Sequence, residues 1–298
     1  MSYPRLTGLI AAPFTPFLPN GEVNYELISR QAESLIADGI TGAYVCGTTG
    51  EGILCTLEER MKIVEAWKEA AQGKLKLIIH VGAYALKDAA VLARHAVEVK
   101  ADGFSVIPHG FFRHGFIANL VEYCRNAAAL APELPFYYYN TMSAGLTFPM
   151  ATFLKQASEA IPNLGGIKYY SYDLFEYQKC LAFQEGKYDV VYGADELFTA
   201  ALACGAKGFI GSTYNYMPGL YQSARAAFEK GDMAAAQAQM KKVHDIVDIL
   251  GEFGGIATGK VLMQLKGLDC GDVRAPLAPL SAQAKQIILD RARAILAK

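Results

Sequence analysis

The sequence predicts an α/β protein, a (β/α)8 TIM barrel with a small C-terminal helical extension. Two observations predict it: eight short apolar runs suit parallel strands buried on both faces, and a segment of helical period follows each run. The competing doubly wound open sheet wants a glycine-rich phosphate turn after its first strand, and none is present.

Taken in order, the strand candidates are LIAAPF (9–14), AYVCG (43–47), KLIIHVG (76–82), GFSVIP (103–108), PFYYYN (135–140), GGIKYY (165–170), DVVYGA (189–194) and KGFIGS (207–212). After the second strand, Thr56-Leu-Glu-Glu59 reads as a capping box, so a helix starts there. Ile63, Trp67 and Ala70 form its apolar stripe, with Val64 alongside, and Leu92, Ala96 and Val99 do the same after the third strand. Gly73, Gly103 and Gly205 fall where helices should stop. Beyond about Tyr221 the pattern is mostly helical, over 222–250, 255–266 and 281–296. We therefore expect residues 1–220 to form the barrel core. Residues 221–298 would carry its last helix and an appendage within the same domain.

Composition narrows the function. Of 298 residues, 52% are hydrophobic and 19% charged, below the ~25% usual for soluble domains. Lys+Arg number 28 and Asp+Glu 29, a net charge of −1 that leaves no electrostatic footprint for nucleic acid or an anionic membrane. No apolar run reaches the ~20 residues needed to span a bilayer. The N-terminal apolar stretch is broken by Pro13 and Pro16, unlike a signal peptide. Six scattered cysteines without a C-x-x-C fit reduced thiols in a cytoplasmic protein. These features point to a cytosolic enzyme.

Gly47-Thr-Thr-Gly-Glu-Gly52 matches neither a dinucleotide fingerprint nor a P-loop. A tight βα turn would explain its glycines. The adjacent Thr48 and Thr49, with free backbone N–H groups at a strand's C-terminal end, also suit a small anion such as a carboxylate.

Lys168 is the charge within an otherwise uncharged apolar strand. Alternation puts Gly166, Lys168 and Tyr170 on one face, and Ile167 and Tyr169 on the other. One reading is a lysine that ends its strand and snorkels to solvent. The other is a Schiff-base lysine, whose amine an apolar barrel would hold partly neutral. Gly166 is expected to leave open space beside that amine for a keto acid. In the preceding strand Tyr137 and Tyr139 share one face. If the two strands are neighbours, Tyr139 approaches Lys168 and its hydroxyl can relay protons. Tyr138 is read as packing against helices.

Other candidates carry less. None of His80, His95, His109, His114 and His244 makes H-x-x-x-H or H-E-x-x-H spacing, so no metal is expected. No G-x-S-x-G is present, and Asp269-Cys-Gly-Asp272 reads as a turn. Asp195-Glu196, read locally, are acids at the start of a helix, complementing its dipole.

GTTGE (47–51), Tyr139-Asn140, GIK (166–168) and GSTYN (211–215) together resemble the N-acetylneuraminate lyase / dihydrodipicolinate synthase family of class I pyruvate-dependent aldolases. GSTYN and Asp195-Glu196 resemble its N-acetylneuraminate lyase branch. The resemblance implies reversible cleavage of N-acetylneuraminate to N-acetylmannosamine and pyruvate. Lys168 would form the imine, Tyr139 would move the proton, and Thr48 and Thr49 would hold the carboxylate. Gly193, Asp195, Glu196 and Ser212 would bind the rest of the sugar acid. It implies no cofactor, a homotetramer, and small-molecule partners: a keto sugar acid and pyruvate.

Two departures bear on the substrate. Tyr170 stands where the family usually has Thr or Ser, and is expected among the residues binding the substrate. The 141–145 loop is one residue shorter than in lyase relatives, without their proline, and lacks the arginine of dihydrodipicolinate synthases. Another pyruvate-dependent aldolase or dehydratase acting on a different 2-keto sugar acid is the nearest alternative. A non-catalytic barrel that binds a metabolite is a more distant one.

Overall fold

A computed structural model describes residues 3–108, 112–142 and 148–297. Strands and helices alternate: β1 (Gly8–Ala11), α1 (Tyr25–Ala37), β2 (Gly42–Val45), α2 (Leu57–Ala71), β3 (Lys76–His80), α3 (Leu86–Glu98), β4 (Gly103–Val106) and α4 (Ile117–Ala128). They continue as β5 (Phe136–Thr141), α5 (Met150–Ala160), β6 (Leu164–Tyr170), α6 (Leu174–Ala182), β7 (Asp189–Tyr192), α7 (Phe198–Ala203), β8 (Gly208–Gly211) and α8 (Pro218–Glu229). Three helices follow: α9 (Met233–Phe253), α10 (Gly255–Leu262) and α11 (Ala282–Leu296). The eight strands pair in parallel and in chain order, and β8 closes on β1. This is the expected (β/α)8 barrel.

Strand alternation divides the core in two. Leu9, Ala43, Ile79, Phe104, Tyr138, Ile167, Tyr169 and Phe209 face the helices and join the large outer core. Ile10, Tyr44, Ile78, Tyr137, Tyr139, Val191 and Ile210 fill the barrel interior. Both strand faces are therefore dry, which accounts for the low share of charge in the sequence. At the N-terminal end of the barrel, Asp189 pairs with Arg5 at 2.6 Å and accepts hydrogen bonds from Tyr137 Oη and Leu6 N, both 3.1 Å. That end is closed, and the site lies at the other.

The helix punctuation follows local chemistry. Thr56 and Glu59 form the reciprocal capping box, at 3.2 and 2.8 Å. On α2 the buried stripe is Arg60, Ile63, Val64, Trp67 and Ala71, so Ala71 rather than Ala70 completes it. The helical segment expected over 222–250 is two helices. Gly231 adopts φ +78°, where a side chain would be strained, and Asp232 caps α9 by accepting from Ala235 N at 2.9 Å. At Asp269-Cys-Gly-Asp272, Gly271 takes φ +68° and its N–H donates to Asp269 Oδ1 at 3.1 Å, a reversal closed by a side chain rather than the backbone turn expected. Among the described residues, no helix is long and apolar enough to cross a membrane.

Candidate active site

The strands' C-terminal ends open into a cavity of about 700 Å³. This volume lies within the ~300–1,000 Å³ usual for small-molecule sites. Thr48, Thr49, Tyr139, Lys168, Tyr170, Gly193, Asp195, Glu196 and Ser212 all line it.

Lys168 is 6% exposed and stands at the centre. The β5–β6 register sets Tyr139 directly beside it. Its Nζ lies 3.9 Å from the centroid of the Tyr139 ring and 4.6 Å from that of Tyr44. The Tyr44 hydroxyl is fixed at 2.6 Å from Ser105 Oγ. Burial lowers the Lys168 pKa to about 7, against a smaller opposing pull from Asp195. Near neutrality the amine therefore has a substantial uncharged, nucleophilic fraction.

Tyr139 is 7% exposed. Burial raises its pKa to about 12, partly offset by hydrogen bonding with the Thr48 and Thr141 side chains. It is a protonated phenol with hydroxyl neighbours, the arrangement a proton relay requires.

The space beside the amine does not come from Gly166. A Cβ there would overlap the Asp189 carbonyl oxygen, because the backbones of β6 and β7 run too close for a side chain. Gly193 opens it instead: a Cβ at that position would stand 3.2 Å from Tyr170 Cβ and 3.4 Å from Lys168 Cε.

Asp195 starts a short 3₁₀ turn ahead of α7 and makes no helix cap. Its Oδ2 accepts from Thr213 Oγ1 at 2.6 Å and Thr213 N at 3.1 Å, and the Thr213 hydroxyl also meets Tyr221 Oη at 2.6 Å. Burial pushes its pKa up to about 6. A Cβ at Gly211 would collide with this carboxylate, so glycine there makes room for it. Glu196 accepts from Tyr172 Oη at 2.6 Å. Dipole complementation thus leaves Asp195 unexplained, whereas a buried carboxylate beside an amine in a cavity suits a polyol or an imine.

Thr48 and Thr49 sit on a loop closed by Glu51 N donating to Thr48 O at 3.0 Å and Gly52 N to Gly47 O at 3.2 Å. Among the described residues, the N–H groups of Thr48 and Thr49 donate to no backbone carbonyl. They are available to an anion.

Sequence reading missed several lining residues. Thr213 adjoins Ser212 and was within reach of the same motif. Val247, Leu250, Gly251, Gly254 and Gly255 come from α9, α10 and the junction between them and close the far wall. Their helical periodicity signals packing, and no local pattern marks them. Residues 143–145 of the shortened loop, and His109, lie outside the described residues. Among the described residues no cluster of three or more His, Cys, Asp or Glu side chains has a metal-holding arrangement.

Known proteins share this architecture. An N-acetylneuraminate lyase from Proteus mirabilis is 49% identical, with a TM-score of 0.96 over 98% of this chain and 99% of that one. An N-acetylneuraminate lyase (sialic acid aldolase) from Aliivibrio salmonicida is 47% identical, also with a TM-score of 0.96, over 98% and 97%. The N-acetylneuraminate lyase of Rattus norvegicus is 35% identical over 285 residues, 93% of this chain and 89% of the relative. Residues 5–295 match the dihydrodipicolinate synthetase family. The chain belongs to that family of class I aldolase-type lyases.

Proposed function

We propose that the protein reversibly cleaves N-acetylneuraminate to N-acetylmannosamine and pyruvate through an imine on Lys168. The observation that carries this reading is the buried amine of Lys168, held near a pKa of about 7 beside Tyr139 in a cavity of sugar-acid size. The lyase relatives support the choice of substrate.

In this mechanism the neutral amine attacks the C2 ketone of the open-chain acid, and loss of water with uptake of one proton from solvent, released again on the final hydrolysis, gives a protonated imine. That cation accepts the electron pair of the C3–C4 bond as it breaks. The C4 hydroxyl gives its proton to the Tyr139 oxygen while Tyr139 passes its own along the Thr48 and Thr141 side chains to solvent, which returns one to C3 in the next step. The C4 fragment leaves as the aldehyde of N-acetylmannosamine. The enamine left on Lys168 takes a proton at C3, and hydrolysis releases pyruvate. Thr48 and Thr49 hold the carboxylate, and Gly193 gives the imine room. Asp195, Glu196 and Ser212 receive the hydroxyl-rich tail. No dissociable cofactor or metal enters any step.

We further propose a single domain, with the helices after residue 220 serving the barrel, in a cytoplasmic homotetramer. Six free thiols support the compartment. The exposed Phe116 and Phe175 support burial against other copies.

Reduction with cyanoborohydride in the presence of pyruvate tests the mechanism. A stable adduct on Lys168 is expected, and its absence overturns the imine. Tyr170, a bulky residue in the cavity wall, favours one second reading, cleavage of a different 2-keto sugar acid. Pyruvate release from a panel of such acids separates the two. If N-acetylneuraminate gives none while another acid does, the substrate assignment fails. Tyr170→Thr is expected to change the ranking across that panel while leaving adduct formation intact.

A further inference from the structure

The sequence gives no reason to connect the C-terminal helices with the Thr48–Thr49 loop, yet a buried ion pair joins them. Lys260 on α10 places Nζ 2.7 Å from Glu51 Oε1, with the two side chains 1% and 0% exposed. Glu51 Oε2 accepts from Arg274 N at 2.8 Å. Lys260 Nζ also donates to Asp272 O at 2.9 Å and lies 4.0 Å from the Phe17 ring centroid. The Arg274 guanidinium covers Phe17 at 4.3 Å and pairs with Glu59 in the first turn of α2. Both ends of the loop's surroundings are thus tied to one tail segment.

Glu51 also holds a backbone conformation that a non-glycine residue adopts rarely, φ +52°. Such a conformation persists where its surroundings over-determine it. Here the buried pair supplies that determination, and the Glu51 N–H carries it to the Thr48 carbonyl. The opposite side of the loop is held by Thr15 Oγ1, which donates to Gly50 O at 2.6 Å. Meanwhile α10 begins at Gly255, itself in the cavity wall.

We infer that Lys260 is a positioning residue: through Glu51 it holds the Thr48–Thr49 loop in the conformation that receives the keto acid's carboxylate. The inference rests on the reading of that loop as the carboxylate site. Lys260 touches no reacting atom. It keeps the charge of Glu51 compensated inside the fold, so that the loop's hydroxyls and N–H groups stay aimed at the cavity. Losing one partner leaves an uncompensated buried charge, which the loop relieves by moving.

The test compares pyruvate with its uncharged methyl ester. Half-saturating concentrations for reducible adduct formation are measured for both in wild type, Lys260→Met and Glu51→Gln, and normalised to each ketone's reactivity with a simple amine. Wild type is expected to prefer pyruvate. In both variants that preference falls about tenfold or more, within the range of coupling between linked sites, while the ester's value holds. Should Lys260→Met fail to fold, the near-isosteric Glu51→Gln carries the same comparison. A wild-type enzyme without the preference overturns the carboxylate reading itself. Variants that retain the preference, or lose pyruvate and ester equally, overturn the role of Lys260 and leave that reading standing.

Discussion

Lowering the pH from 8 to 6 tests the buried amine most directly. With a Lys168 pKa of about 7, the neutral fraction falls from about 91% to about 9%, a tenfold loss of nucleophile. A lysine at its ordinary value of 10.5 would lose about a hundredfold over the same interval and would keep gaining to pH 10. At pH 7.5 burial raises the neutral fraction by nearly 10³, equivalent to about 4 kcal/mol. Asp195, itself titrating at about 6, pulls the Lys168 pKa upward while ionised. Its protonation removes that pull, so the acid limb should run shallower than unit slope. The assay is the initial rate of cyanoborohydride-trapped pyruvate adduct, read by intact mass from pH 5.5 to 9.5. The expected profile rises through about 7 and levels off above 8. A unit-slope rise continuing past pH 9 would refute the claim that burial activates this lysine.

Three further outcomes follow from the same geometry. Because the folded-state pKa of Lys168 is depressed, the unfolded chain binds the extra proton between about pH 7 and 10.5, and stability rises with pH across that window. Lys168→Met should therefore raise the denaturant midpoint at pH 6, by up to about 5 kcal/mol in stability, and flatten that slope; an unchanged slope would count against it. Gly211→Ala should drive the Asp195 carboxylate from its place, raising KM for the sugar acid about tenfold or more. Pyruvate adduct formation should stay within about twofold, and equal losses in both assays would show that Asp195 does not sort substrates. Thr56→Ala removes one half of the α2 capping box and should cost about 1 kcal/mol in urea denaturation without altering the adduct rate.

Much of the barrel was legible because its signals are local. Alternation has a period of two, so the opposition of Tyr139 to Tyr138, and of Lys168 to Tyr169, can be read within one strand. The Thr56–Glu59 capping box spans one helical turn and is likewise local. The space around Gly166 is not legible in this way. That glycine's neighbour is the Asp189 backbone on another strand, at a distance that no spacing in the sequence encodes. The break at Gly231-Asp232, inside the segment read as one helix over 222–250, escapes periodicity for a different reason: glycine is tolerated inside many helices, and only its left-handed conformation with the Asp232 cap separates α8 from α9.

By itself the sequence determined the eight-unit barrel, the inward direction of Lys168 and Tyr139, and the family markers. Hydrophobic periodicity and residue chemistry express these within a few positions of one chain. Tertiary structure alone decided the β5–β6 register, including the shift between Phe136 and Tyr137 that sets Tyr139 beside Lys168. It also decided that Thr213 and Gly211 shape the Asp195 site, and that α9 and α10 wall the cavity. The Lys260–Glu51 pair spans more than two hundred residues of chain. Its partners are selected by burial and charge compensation in the folded state, which no local pattern records.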